Sequence, residues 1–121
     1  MIKIAFASKD GLHVDEHFGW CEKFYIYGVN EESYELLNEV DSSLKYEQES
    51  DKLEYKIMCI DGSDIVYVAK IGPKAASMVK LAGTFPLRSS QEDEKIEEVL
   101  KSIQKLMKEN PPLWLKRILL K

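Results

Sequence analysis

The 121-residue sequence has only two histidines and two cysteines, and it lacks any long uncharged apolar run, internal repeat or low-complexity linker. A helix crossing a bilayer needs about 20 largely apolar residues, so no membrane span is expected. Met1 is followed at once by the strand-like IKIAFA rather than by a basic stretch and a longer apolar core. No signal peptide is therefore expected, and the reading is a cytoplasmic protein. Two cysteines without an export signal read as free thiols rather than as a disulfide. The chain also has no basic stripe interleaved with aromatics, and its net charge is -4. Nucleic acid is a poor partner for such a chain.

What is present is globular in composition, 45% apolar and 31% charged, in a chain of single-domain size. Charge is unevenly shared: residues 1–60 carry 6 Lys/Arg against 13 Asp/Glu, whereas residues 61–121 carry 11 against 8. Ile2, Ile4 and Phe6 alternate with Lys3, Ala5 and Ala7, the period of a half-buried strand. KFYIYGV and SYELLNEV read as two further strands around a turn at Asn30–Glu32, giving an antiparallel meander. Tyr46, Ser50, Leu53, Ile57 and Ile60 recur at helical spacing. DIVYVAKI, residues 64–71, suits a strand covered on both faces. Pro73 opens a second helix that Gly83 closes, and Thr84–Leu87 is a short strand. Ser90 and Asp93 resemble a capping box before a third helix carrying Ile96, Val99, Leu100, Ile103 and Met107.

The expected fold is thus a mixed α/β sheet: three antiparallel strands, then helix-strand-helix-strand-helix, then a short C-terminal helix. Asn110-Pro111-Pro112 ends the third helix, dividing the chain into a domain at 1–109 and a helical tail at 110–121. Trp114, Leu115, Ile118 and Leu119 would let that tail dock on the parent domain, because a short isolated helix is marginal in water. Lys116, Arg117 and Lys121 leave open that it faces an acidic partner instead.

Residues 8–21 follow no apolar period and read as a loop, yet they hold His13, His17 and Cys21. If the backbone turns tightly at Gly11 and Gly19, these can converge. Imidazole nitrogen and thiolate are ligands suited to iron, zinc and other borderline metals, and Asp10, Asp15 and Glu16 could orient the rings. The alternative is a solvated polar loop. No regular structural-zinc spacing is present, and Cys59, at a helix end, reads as a buried free thiol.

Several segments together resemble the nitrogenase iron-molybdenum cofactor biosynthesis family, the NifX/NafY-type accessory domains. They are IKIAFAS, DGLHVDEHFG, EKFYIY, DIVYVAKIGPKAA and AGTFPL, and the tail NPPLWLKRILLK is similar to that of the stand-alone NifX members. The resemblance implies a ribonuclease-H-like fold and a non-catalytic carrier. Such a carrier binds an iron-sulfur cofactor precursor or the iron-molybdenum cofactor between an assembly scaffold and apo-dinitrogenase. It implies the H-F-G segment His17, Phe18 and Gly19 as cofactor-binding, with His17 as the metal ligand. Cys21 stands where many relatives have alanine, so an auxiliary ligand role for it rests on thiol chemistry alone. His13 either binds or merely lines the loop.

An anionic cluster needs positive compensation near its ligand. The start of the second helix offers Lys74, the backbone N–H groups of Ala75 and Ala76, and close approach over Gly72. In such sheets the loops after the first strand and after the strand at 64–71 both lie at carboxyl ends, where ligands bind. Two other readings use the same chain differently. One is an interaction module chaperoning nitrogenase or scaffold proteins without a guest. The other is a metal-dependent nuclease built on Asp10, Asp15, Asp61 and Asp64, disfavoured by the apolar first strand and the acidic charge.

Overall fold

A computed structural model describes all 121 residues. The alternation at the start of the chain forms β1 (Ile2–Ala7). The chain then makes β2 (His13–Val14), β3 (Lys23–Val29), β4 (Tyr34–Asp41), α1 (Glu49–Cys59), β5 (Ile65–Val68) and α2 (Pro73–Leu81). After these come β6 (Phe85–Arg88), β7 (Glu94–Lys95), α3 (Ile96–Lys108) and α4 (Leu113–Leu119). The main sheet has the order β4-β3-β1-β5-β6. β1, β3 and β4 are antiparallel neighbours, while β5 runs parallel to β1 and β6 parallel to β5. The fold is therefore α/β with a mixed central sheet and four helices.

Local chemistry explains the connections. The β3–β4 hairpin closes on Asn30, whose side-chain oxygen accepts the N–H groups of Glu32 at 2.9 Å and Ser33 at 2.8 Å. This is the Asx arrangement that makes asparagine a turn former. β5 lies in the middle of the parallel part and is buried along its whole length, as its unbroken apolar run requires.

The period-two pattern of β1 divides the core into two layers. Ile2, Ile4 and Phe6 face Val99, Leu100 and Ile103 of α3 together with Leu115 and Ile118 of α4. Ala5 and Ala7 face the other way, into a layer shared with Leu53 of α1 and with Ala75 and Val79 of α2. Small side chains on that face leave room for Phe18 and Cys21, which join the second layer from the loop. The tail helix packs on the domain: Leu115 is fully buried, and Trp114 stacks on Phe85 with ring centroids 4.8 Å apart. No helix is long and apolar enough to cross a membrane.

Three local expectations differ from the structure. α1 begins at Glu49 rather than at Tyr46, because Gln48 is extended (φ -89°, ψ 133°) and Tyr46 packs its ring on Tyr55 from the preceding loop. The Ser90–Asp93 capping box does not form: Ser90 donates to Glu94 at 3.1 Å, Asp93 takes φ 52°, and α3 starts only at Ile96. Finally, the loop at 8–21 contains β2, which pairs with β7 through His13–Lys95 and Val14–Glu94. A two-residue strand whose partner lies about 80 positions away leaves no periodic trace.

Candidate functional site

The loop after β1 passes over the carboxyl end of the sheet from one layer to the other. Val14 sits in the layer with α3, and four residues later Phe18 sits in the layer with α1 and α2. Between them the backbone is tied to the extension of β5. Ala69 donates to the Glu16 carbonyl at 2.9 Å, and Phe18 donates to the Lys70 carbonyl at 2.9 Å, so His17 and Lys70 form a parallel bridge. The chain then reverses: the His17 carbonyl accepts the N–H groups of Trp20 at 3.1 Å and Cys21 at 3.0 Å. His17 is thus held by backbone on both sides and by the buried Phe18 ring, not carried on a slack turn.

Its imidazole is half-buried and lies parallel to the Trp20 indole, with centroids 4.8 Å apart and planes 8° apart. Neither ring nitrogen is engaged by the protein, in contrast to His13. The ring borders a cleft of about 360 Å³ that also takes in Gly19, Lys52 of α1, Lys70, and Gly72 with Lys74 at the start of α2. Lys52 pairs with Glu49 at 3.1 Å, Lys74 donates to Ser50 at 3.1 Å, and Lys70 is exposed. The α2 N-terminus has no side-chain cap and no acidic residue in its first turn. First-turn N–H groups have no intrahelical acceptor, so the dipole and the lysines give this cleft a positive wall. On the other side of His17 a second cleft of about 390 Å³ is lined by Asp15, Glu92 and Asp93 with Ser89 and Ser90.

Sequence spacing grouped residues that the structure separates. His13 belongs to β2 and lines a different cleft, of about 600 Å³, with Tyr27, Tyr34 and Leu100. Its Nδ1 is 2.8 Å from Asp10 Oδ2, and Asp10 also accepts the N–H groups of Leu12 and His13. The His13 ring first, and then those N–H groups, hold the Asp10 carboxyl well below the usual carboxylate range. Asp10 therefore orients His13 and not His17. Asp15 accepts the Lys9 N–H and Glu16 pairs with the Lys9 ammonium, so neither orients an imidazole.

Cys21 is corrected as an auxiliary ligand, and Phe18 as a residue facing a guest, because both side chains are fully buried. The Cys21 thiol lies 3.4 Å from the Phe18 carbonyl and 3.8 Å from Ser42 Oγ, and burial pushes it up to about 11. The buried Lys56 ammonium holds the same corner by donating to the carbonyls of Cys21 and Ser42. Gly11 does need glycine: φ is 76°, and a Cβ there would meet the Tyr25 ring at 2.9 Å. Gly19 has no such constraint, since a Cβ would make ordinary contact with Lys52 at 3.5 Å. At Gly72 a Cβ would meet nothing, which leaves the mouth of the cleft open. Ala76 is not a free donor, for its N–H already bonds the Gly72 carbonyl at 2.9 Å.

The carboxylates proposed for a nuclease do not cluster. Asp64 accepts the Lys3 N–H at 2.9 Å at the amino ends of β1 and β5, whereas Asp10 and Asp15 follow the carboxyl end of β1.

Comparison with known proteins decides the family. The profile described as dinitrogenase iron-molybdenum cofactor matches residues 1–106. The chain belongs to that family. Within it, the chain is 38% identical over 116 residues to protein NifX of Azotobacter vinelandii, covering 95% of this chain and 73% of that protein. It is 32% identical over 122 residues to protein NifX of Herbaspirillum seropedicae, covering 99% and 83%. It is thus a NifX-type nitrogenase cofactor accessory protein. The crystal structure of PH0822 has a similar fold, with a TM-score of 0.66 and 17% identity, covering 86% of this chain and 91% of that one.

Trp20, Lys52 and Lys70 also line the His17 cleft, and the sequence does not single them out. Trp20 could have been suspected, because an indole three residues after His17 across a glycine turn falls beside it. Lys52 and Lys70 carry no such local signal; a lysine on a charged helix and one at a strand end look like ordinary surface.

Proposed function

We propose that this NifX-type chain carries an anionic iron-sulfur guest, the iron-molybdenum cofactor or its precursor, attached reversibly through His17 during nitrogenase cofactor assembly. The observation that carries the reading is the imidazole itself. It is held by backbone and by Trp20, both nitrogens are free, and it borders a cleft walled by Lys52, Lys70, Lys74 and the α2 N-terminus. A neutral imidazole nitrogen is a good ligand for iron. Positive charge beside it compensates a guest of net negative charge. Gly19 and Gly72 border the same opening and permit a bulky occupant.

One protein ligand on an open cleft favours release, which suits transfer from an assembly scaffold to apo-dinitrogenase rather than storage or catalysis. The sheet order, with an antiparallel trio extended by two parallel strands, supports the ribonuclease-H-like arrangement without its carboxylate centre. Anaerobic mixing with the isolated cofactor or its precursor should give a brown complex that survives size exclusion. His17→Ala should weaken that complex at least about tenfold, equivalent to about 1.4 kcal/mol. Unchanged affinity in that variant would remove His17 as the ligand, and absence of any complex would favour the guest-free interaction module.

A further inference from the structure

A guest held at an open cleft can pass between proteins without meeting solvent only if the second protein docks beside that cleft. Of the two openings that adjoin it, the acidic one lined by Asp15, Glu92 and Asp93 would repel an anionic guest, and the other carries exposed apolar side chains. Gly19, Trp20 and Lys52 are shared between the His17 cleft and a smaller groove of about 200 Å³, whose other wall is the Leu44–Tyr46 segment between β4 and α1. Three large apolar side chains stand exposed along it: Trp20 at 69%, Leu44 at 58% and Tyr46 at 44%. Tryptophan and tyrosine are the residues that anchor protein interfaces, and here they border one groove with a leucine.

Charge selects the partner. Lys45 forms no ion pair and lies close enough to Lys52 and the buried Lys56 that, after burial, these neighbours help push the Lys56 ammonium down. Lys70 and Lys74 add two more ammonium groups without carboxylate partners across the cleft, and Glu49 is the one acidic residue lining either opening. In a chain of net charge -4, lysines concentrated on one rim favour an acidic counterpart.

We infer that Trp20, Leu44, Lys45 and Tyr46 form the docking surface for an acidic, apolar-tipped segment of the protein that gives or receives the guest. This rests on the carrier reading and deepens it. Trp20 belongs to both openings, so a partner that packs on the indole touches the residue stacked on His17.

The test uses the full chain with purified assembly scaffold and purified apo-dinitrogenase, measuring affinity for each protein and, separately, for the isolated cofactor. Leu44→Asp combined with Lys45→Glu alters exposed positions and should leave thermal unfolding unchanged. It should weaken binding to at least one of the two proteins about tenfold or more and keep cofactor affinity within about twofold. Wild-type docking should also weaken as salt rises from about 50 to about 300 mM, as attraction between exposed charges requires. His17→Ala should show the reverse pattern, losing cofactor while keeping the protein partner.

Partner affinity unchanged in the double variant would place docking elsewhere and overturn the inference. So would concentration-dependent self-association abolished by the same variant, which would assign the surface to a second copy of the chain. Unchanged cofactor affinity in His17→Ala would instead remove His17 as the ligand, and a wild-type chain that bound no cofactor would strike the carrier reading.

Discussion

Two histidines four residues apart on one loop have opposite circumstances. His13 sits in a two-residue strand, faces the cleft on the α3 side, and is occupied by Asp10. His17 sits on the α1–α2 side, stacks on an exposed indole, and is engaged by no protein group. What separates them is the carboxyl end of the sheet, which the loop crosses between Val14 and Phe18. A spacing that would place two imidazoles on one face of a helix places them on opposite faces of a domain when the segment is a crossing loop. The lesson is about partners: a histidine already paired with a carboxylate stabilises its loop, and one left unpaired beside a cleft is available to a guest.

The largest effect expected from breaking this arrangement comes from the anchor of the His17 arm. Phe18 is fully buried. Phe18→Ala should cost about 3–5 kcal/mol in denaturant unfolding, the range for buried phenylalanine truncations. A loss under about 1 kcal/mol would mean that the arm is not fixed as described and that His17 is not pre-positioned.

Next comes a crossed pair of histidine variants. His17→Ala should reduce guest affinity at least about tenfold while changing stability by about 0.5 kcal/mol or less, because no hydrogen bond is lost. His13→Ala should do the opposite, lowering stability through the loss of its Asp10 partner and leaving guest affinity within about twofold. If both variants lost guest affinity equally, the two histidines would be working together and the separation drawn above would fail.

The third effect is smaller and depends on pH. The Asp10 side chain is 44% exposed, so its hydrogen bonds to the His13 ring and the loop N–H groups compete with water and Asp10→Ala should cost only about 1 kcal/mol at neutral pH. Folding lowers this carboxyl below its ordinary value, which stabilises the folded state above about pH 4 and ceases to do so as pH falls towards the folded value. The stability gap between wild type and Asp10→Ala should therefore begin to narrow below about pH 4 and still be shrinking at about pH 2. A gap that stayed constant across that range would show that Asp10 acts through shape rather than through charge.

Much of the fold could be read locally. The alternation of β1, the apolar run of β5, and Pro73 with Gly83 around α2 each encode their element in a few adjacent residues, and the structure has them where the pattern falls. The candidate site was legible only in part. His17, Gly19, Gly72 and Lys74 come together because two parallel strands end side by side, a consequence of topology that the strand order already implies. Cys21 misled because its chemistry is that of a ligand while its burial depends on the small side chains of Ala5 and Ala7, far away in sequence. The β2–β7 pairing that isolates His13 was invisible for the same reason, being made of two residues at each end.

A weaker effect is expected from the lysine beside each histidine. Lys74 is exposed, its ammonium hydrogen-bonds Ser50, and it stands at the positive wall of the His17 cleft. Lys95 is its counterpart beside His13, lining the other cleft. Each is a single solvent-exposed charge, so its contribution to binding an anion is limited to about 0.3–1 kcal/mol and falls with ionic strength. Lys74→Gln should therefore weaken guest affinity about two- to fivefold at low salt and scarcely at all near 1 M, whereas Lys95→Gln should leave affinity unaltered at any salt. If Lys74→Gln instead matched His17→Ala in size, attraction to the lysine wall rather than ligation by the imidazole would be holding the guest. The difference between the two histidines would then follow from which of them has positive neighbours.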